Sequence, residues 1–105
     1  MDVLEVMMAL VAGVDSSTQS VKVVVCESTS GEIISSTSAP HPTGTEVDPQ
    51  SWWLALTNAL NEKSIREIGG INQISAISIA GQQHGLVLLD SSGDIIRPAL
   101  LWNYV

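Results

Sequence analysis

Leu10-Val11-Ala12-Gly13-Val14, then Asp15-Ser16-Ser17-Thr18-Gln19-Ser20, then Val21-Lys22-Val23-Val24-Val25-Cys26-Glu27 is two apolar runs rich in β-branched residues with a polar hexad between them. Branched side chains fit a pleated surface and the hexad carries turn chemistry, so the stretch predicts an antiparallel hairpin. Ser28-Thr29-Ser30-Gly31 is a second turn signal, and Glu32-Ile33-Ile34-Ser35-Ser36-Thr37-Ser38 reads as a third, partly exposed strand. The chain opens as a three-stranded meander.

Residues 39–47 read as a loop punctuated by Pro40, Pro42 and Gly44, with His41 as a loop residue that has no partner cluster. A helix starts at Asp48, whose carboxylate can take free N–H groups of the first turn, while Pro49 needs no donor there. Trp52, Trp53, Leu56, Ala59 and Leu60 follow at helical spacing as core or helix-face positions. Glu62, Lys63, Arg66 and Glu67 fall on a solvated face, and Gly69-Gly70 ends the helix. Ile74-Ser75-Ala76-Ile77-Ser78-Ile79-Ala80 alternates with period two, so it should join the first sheet in parallel after the helical crossover. After Gly81-Gln82-Gln83-His84-Gly85, residues 86–90 and 95–99 predict a hairpin around Ser91-Ser92-Gly93-Asp94, with Pro98 at an edge or strand end. The fold class is α/β, in the order β-β-β-α-β plus a hairpin.

The chain has 105 residues, and 11 acidic against 4 basic residues give a net charge of -7, which opposes the phosphate attraction that nucleic-acid binding uses. One cysteine, Cys26, cannot form an internal disulfide; it reads as a core thiol in a reduced cytoplasm. Residues 1–8 contain two acids and no Lys or Arg, unlike a signal peptide. No apolar run approaches the roughly 20 residues that cross a bilayer. Phe is absent, so the core must be built mainly from Val, Ile, Leu and Ala, and a domain of this size is marginally self-sufficient. The apolar ending Leu100-Leu101-Trp102-Asn103-Tyr104-Val105 reads as a chain cut off within a larger domain.

Three segments could carry chemistry. Asp15 stands at a strand end, where a carboxylate can hold a Mg²⁺ hydration shell, and the hydroxyls and N–H groups of the following turn can cradle phosphate oxygens. The alternative is a plain polar hairpin tip. Gly81-Gln82-Gln83-His84-Gly85 offers two amides and an imidazole suited to a polyhydroxylated ligand, or else forms a hydrogen-bonded loop with a structural histidine. Trp102 beside Asn103 could stack on a sugar ring and bond a hydroxyl, or serve as core. Zinc spacing, a Walker-type loop and a dinucleotide fingerprint are absent from the sequence.

The run Val11-Ala12-Gly13-Val14-Asp15-Ser16-Ser17-Thr18-Gln19-Ser20-Val21-Lys22 resembles the phosphate-binding opening of the FGGY carbohydrate kinases, members of the actin, Hsp70 and hexokinase-like superfamily. Asp48-Pro49-Gln50-Ser51-Trp52-Trp53, Gly81-Gln82-Gln83-His84-Gly85 and Arg97-Pro98-Ala99-Leu100-Leu101-Trp102-Asn103 are similar to the N-terminal region of the xylulokinases within that family. The resemblance implies the first part of a ribonuclease-H-like domain over residues 9–105, with residues 1–8 an unmatched extension. It implies ATP and Mg²⁺ as cofactors, a sugar as partner, and phosphorylation of D-xylulose to D-xylulose 5-phosphate. It places Asp15 at Mg²⁺ through water and at the transferring phosphoryl group, Thr18, Gln19 and Lys22 near the ATP phosphates, and Gln83, His84, Trp102 and Asn103 at the sugar.

Two positions depart from the pattern. Ser17 stands where many superfamily members have Gly, so its backbone should avoid the left-handed region or tolerate some strain there. Tyr104 stands where xylulokinases continue Trp-Asn-Asp, which removes an acid on the sugar side or marks a boundary of the reading frame. The general-base aspartate and the adenosine pocket of the family have no counterpart here, so the isolated chain is expected to be inactive. Two rivals remain open: a non-catalytic truncated chain or interaction module, and a sister kinase for another ketose or polyol. Uncovered strand edges and an uncovered sheet face would favour homo-oligomers.

Overall fold

In the computed structural model, which describes residues 9–104, three strands form the expected meander: β1 (Leu10–Ser16), β2 (Ser20–Glu27) and β3 (Ile33–Pro40). Each antiparallel pair is closed by a short turn. Strand β5 (Ile74–Gly81) lies parallel to β1 on the far side, giving the order β3-β2-β1-β5. Two short strands, β4 (Glu46–Val47) and β6 (Ala99–Leu100), make a separate antiparallel ribbon. Residues 1–8, read above as an unmatched extension unlike a signal peptide, lie outside the described residues.

Alternation decides which face is buried. Ala12 and Val14 of β1, Val21, Val23 and Val25 of β2, and Ser35, Thr37 and Ala39 of β3 all point to one side and are buried. Helix α1 (Gln50–Leu60) covers that side over β2 and β3, contributing Ala55 and Ala59 to the same core. The Thr37 hydroxyl donates to the Ala59 carbonyl at 2.9 Å, which satisfies an acceptor in the last turn of α1. The opposite side of the sheet carries Gly13, Asp15 and Lys22, all exposed.

The helix begins as expected: the Gln50 N–H donates to Asp48 Oδ1 at 3.0 Å and the Ser51 N–H to the Asp48 carbonyl at 2.9 Å. It does not run unbroken to the glycine pair. Glu62 is extended at φ -61°, ψ 154°, and the Asn61 side-chain amide donates to the Thr57 carbonyl at 2.9 Å, competing with the helical ladder. A second helix, α2 (Lys63–Glu67), restarts after it and is pinned by the fully buried Ile65. Gly69 and Gly70, at φ 107° and 82°, then close it, with the Gly70 N–H bonded to the Ile65 carbonyl at 3.0 Å.

Four further expectations need correction. Trp53 is 65% exposed and lies on the solvent side of α1, so only Trp52 of the pair packs inward, against Val47, Ala99 and Leu101. Cys26 is half-buried at the irregular end of the β2–β3 pairing rather than sealed in the core. Residues 86–90 and 95–99 do approach each other, through the Leu89–Ile95 bridge and the Ile96 N–H to Leu88 carbonyl bond at 3.0 Å, but they form no continuous ladder. Their partners lie elsewhere: Leu86 exchanges both backbone bonds with Leu100, at 2.8 and 3.1 Å. His41 is 6% exposed and belongs to the core of the site, not to a free loop.

Removing the Ile65 side chain leaves a cavity that α2 cannot collapse into. Ile65→Ala is expected to cost about 2–5 kcal/mol in urea unfolding, while Ile79→Ala, at an exposed position, should stay within about 0.5 kcal/mol of wild type.

The β2–β3 turn has an acid-sensitive component. The Ser30 hydroxyl and N–H, the latter 2.6 Å away, together with the Thr29 N–H at 3.0 Å, hold the Glu27 carboxylate and lower its pKa from the ordinary 4.5 to about 2. Because the folded-state pKa is depressed, this stabilisation is present above about pH 4.5 and is lost as pH falls toward 2. Wild type should therefore lose more stability across that window than Glu27→Gln, read as the shift in thermal midpoint with pH.

Candidate functional site

The hairpin tip between β1 and β2 is the centre of a set of hydrogen bonds drawn from distant parts of the chain. The Ser17 N–H and hydroxyl both donate to the Ser20 carbonyl, at 2.9 and 3.0 Å, closing the turn on itself. The Gln82 N–H donates to the Ser16 carbonyl at 2.9 Å, and the His41 N–H to the Gln19 carbonyl at 2.9 Å. His41 Nδ1 lies 2.7 Å from the Ser17 carbonyl oxygen. A carbonyl can only accept, so Nδ1 carries the proton. The carbonyls of Ser16, Ser17, Gln19 and Ser20 are thus taken, while among the described residues the N–H groups of Thr18 and Gln19 have no acceptor.

Thr18 joins the tip to two other segments. Its hydroxyl donates to Gln82 Oε1 at 3.2 Å and accepts from the Trp102 indole N–H at 2.8 Å. The three expected segments therefore meet at one side chain. Parallel pairing explains the approach of the second: β1 and β5 run in register with Ser16 beside Gly81, so the strands release their loops side by side. The third arrives because β6 pairs with β4, Leu101 N–H donates to the Thr45 carbonyl at 2.9 Å, and Arg97 forms an ion pair with Glu46.

Between these segments lies a cavity of about 270 Å³ lined by Ser16, Trp52, Gly81, Gln82, His84, Gly85, Val87 and Leu101. Of the four residues that the resemblance places at a sugar, His84 lines it, Gln83 is exposed next to it in the loop, Trp102 is 58% exposed at Thr18, and Asn103 is half-buried with no partner for Oδ1 among the described residues. Gln82, one of the two amides the loop offers to a polyhydroxylated ligand, lines the cavity, and so does Trp52, which the sequence reading left as core or helix face. The signal for Trp52 lay in its place in the Asp48–Trp53 motif.

Asp15 and Lys22 sit directly opposite each other in the β1–β2 ladder on the open face, both exposed, and the Asp15 carboxylate has no partner among the described residues. Ser17 avoids the left-handed region, as its replacement of Gly requires. The loop residue that does adopt positive φ is His84, at 61°, while neither Gly81 nor Gly85 does. Histidine tolerates this region better than most side chains, but at some cost.

The sequence profile for the N-terminal domain of the FGGY family of carbohydrate kinases matches residues 10–104. The chain belongs to the FGGY family of carbohydrate kinases. A xylulose kinase from Arthrobacter sp. is 54% identical over 96 residues, which cover 91% of this chain and 95% of that protein. One from Streptomyces coelicolor is 48% identical over 102 residues, covering 91% of this chain and 20% of the relative. The chain thus spans about a fifth of the longer relatives. The crystal structure of xylulose kinase from Bifidobacterium adolescentis superposes with a TM-score of 0.80 at 48% identity, covering 91% of this chain and 18% of that one. The fold of this FGGY segment is therefore the mixed α/β, actin- and hexokinase-like ATPase fold of the sugar kinases.

The positive φ of His84 yields a test of backbone strain. His84→Gly should raise the thermal midpoint or leave it unchanged, because glycine relieves about 1 kcal/mol of strain there, whereas a lowered midpoint would show that the side chain's contacts outweigh the strain.

Proposed function

We propose that the chain is the part of an ATP-dependent kinase that contacts both the nucleotide phosphates and the sugar, and that the kinase converts D-xylulose and ATP to D-xylulose 5-phosphate and ADP. The observation that carries this reading is the Thr18 hydroxyl, bonded at once to Gln82 of the sugar loop and to Trp102. It ties a phosphate-type turn to a cavity edged by an imidazole and amides, the juxtaposition that phosphoryl transfer to a sugar hydroxyl demands. The xylulose preference rests on the naming of the relatives and on the Gly81-Gln82-Gln83-His84-Gly85 sequence.

The residues fit the magnesium complex of ATP. A hard cation that keeps much of its water shell needs only one or two carboxylates, and Asp15 is exposed with its oxygens unengaged. No cluster of three or more metal-ligating side chains occurs among the described residues, in keeping with a metal held through water and phosphate. When bound, Mg²⁺ neutralises charge on the transferring phosphoryl group.

The chain's own groups supply positioning. The free N–H groups of Thr18 and Gln19 donate to phosphate oxygens, and Lys22, across the ladder from Asp15, adds positive charge on the same face. His84 at the cavity and Gln83 next to it in the loop hold ketose hydroxyls, and Trp102, bonded to Thr18, and Asn103 follow the cavity-lining Leu101 on the sugar side. None of the residues lining the cavity is a carboxylate, and the general-base aspartate of the family has no counterpart in this sequence, which supports reading the isolated chain as inactive. Residues 9–105 then form the incomplete first part of the kinase domain, working in the cytoplasm.

A second reading is favoured by one observation. Ile77 and Ile79 of β5 are 50% and 60% exposed on the face that α1 covers elsewhere, a surface suited to a non-catalytic interaction module or homo-oligomer. A kinase for another ketose or polyol is separated by a panel of sugars.

In the full-length protein that the complete reading frame encodes, Asp15→Ala should lower kcat for xylulose-dependent ATP consumption by about a hundredfold or more with the thermal midpoint unchanged. Retained turnover would remove Asp15 from the mechanism. A wild-type protein that binds neither xylulose nor MgATP in calorimetry, yet forms a discrete oligomer, would establish the second reading instead.

A further inference from the structure

We propose that His41 is a positioning residue for the phosphate turn, fixing through the Ser17 carbonyl the direction in which the Thr18 N–H points. The proposal rests on the kinase reading above and assigns a role to a residue outside the three recognised segments.

The geometry is specific. His41 grips the tip on both sides of Thr18, with its ring on the Ser17 carbonyl at 2.7 Å and its backbone N–H on the Gln19 carbonyl at 2.9 Å. In a trans peptide the C=O and the following N–H point in opposite directions. Holding the Ser17 carbonyl toward His41 therefore aims the Thr18 N–H away from it, and that N–H is one of the two that no described residue engages. The imidazole sets the direction of a donor three bonds from the atom it touches.

His41 itself is held rigidly. Pro42 restricts it to extended backbone, and Pro40 ends β3 immediately before it. The ring is buried, and among the described residues its Nε2 has no hydrogen-bond partner. A residue chosen for stability alone would fill the space with carbon and leave no nitrogen unpaired. Among the described residues the ring's polar contact is the bond to the Ser17 carbonyl, and that bond is what a histidine supplies here.

The test is steady-state kinetics on the full-length protein with His41→Ala, His41→Gln and His41→Asn, and with Asp15→Ala as reference. An asparagine amide reaches about where Nδ1 stood, whereas a glutamine amide extends past it. Losing one oriented hydrogen bond should raise KM for MgATP about tenfold in the Ala and Gln variants, with KM for the ketose within about twofold of wild type. The Asn variant should return KM for MgATP to near the wild-type value. If the His41 variants shift both KM values together, or neither, while Asp15→Ala abolishes turnover, the role of His41 is overturned and the kinase reading stands. If wild type shows no sugar-dependent ATP use, both fall. Hydrogen exchange on the wild-type protein covers variants that fail to fold: the Thr18 amide should exchange freely without nucleotide and be protected by MgADP, and an amide unaffected by MgADP overturns the proposal.

Discussion

The register of β1 against β5 is the constraint on which the rest of this structure depends. Pairing Ser16 with Gly81, sealed by the 2.9 Å bond from the Gln82 N–H to the Ser16 carbonyl, releases two loops from adjacent strands at the same height. The hairpin tip and the glycine-flanked loop are neighbours because of that register, although more than 60 residues separate Thr18 from Gln82 in the chain. A slip of one residue would carry Asp15 from the open face to the helix-covered face, burying an unpaired carboxylate. The alternation that keeps Ala12 and Val14 inside therefore also keeps Asp15 outside.

Coverage of the sheet is uneven, and composition explains how. With no Phe in the chain, the core is a layer of valines closed by Ala55, Ala59 and Ile65. Small helix residues bring α1 close to β2 and β3, and α1 is too narrow to reach β5 as well. Ile77 and Ile79 share a face with Ala12 and Val14 but lack a roof. A second, smaller core of Val47, Ala99 and Leu101 with Trp52 fastens the C-terminal segment beneath the site and so delivers Trp102 to Thr18.

Most of the framework was legible in the sequence because it is governed by local rules. β-Branched apolar runs between turn signals marked the meander strands, period-two alternation marked β5, Asp48-Pro49 marked the start of α1, and the glycine pair marked the end of the helical segment, at α2 rather than α1. The break at Glu62 was not legible, since it comes from a competition between the Asn61 amide and the helical ladder. The final hairpin was over-read: apolar runs around a good turn look like strands, but Leu86 and Leu100 found each other instead. Within the site, resemblance pointed to the segments, whereas their hydrogen bonding depended on tertiary placement. His41 between two prolines carries every local mark of a loop, and only burial against the tip gives it a task.

The central claim is that the tip and the glycine-flanked loop serve two substrates of one reaction. The most direct measurement is a crystal structure of the full-length protein with D-xylulose and a non-hydrolysable MgATP analogue. The account predicts the terminal phosphate at the Thr18 and Gln19 N–H groups with the metal shell at Asp15, and the ketose at Gln83 and His84 with a hydroxyl aimed at that phosphate. A phosphate chain lodged away from the β1–β2 tip, or a sugar that touches neither Gln83 nor His84, would contradict it.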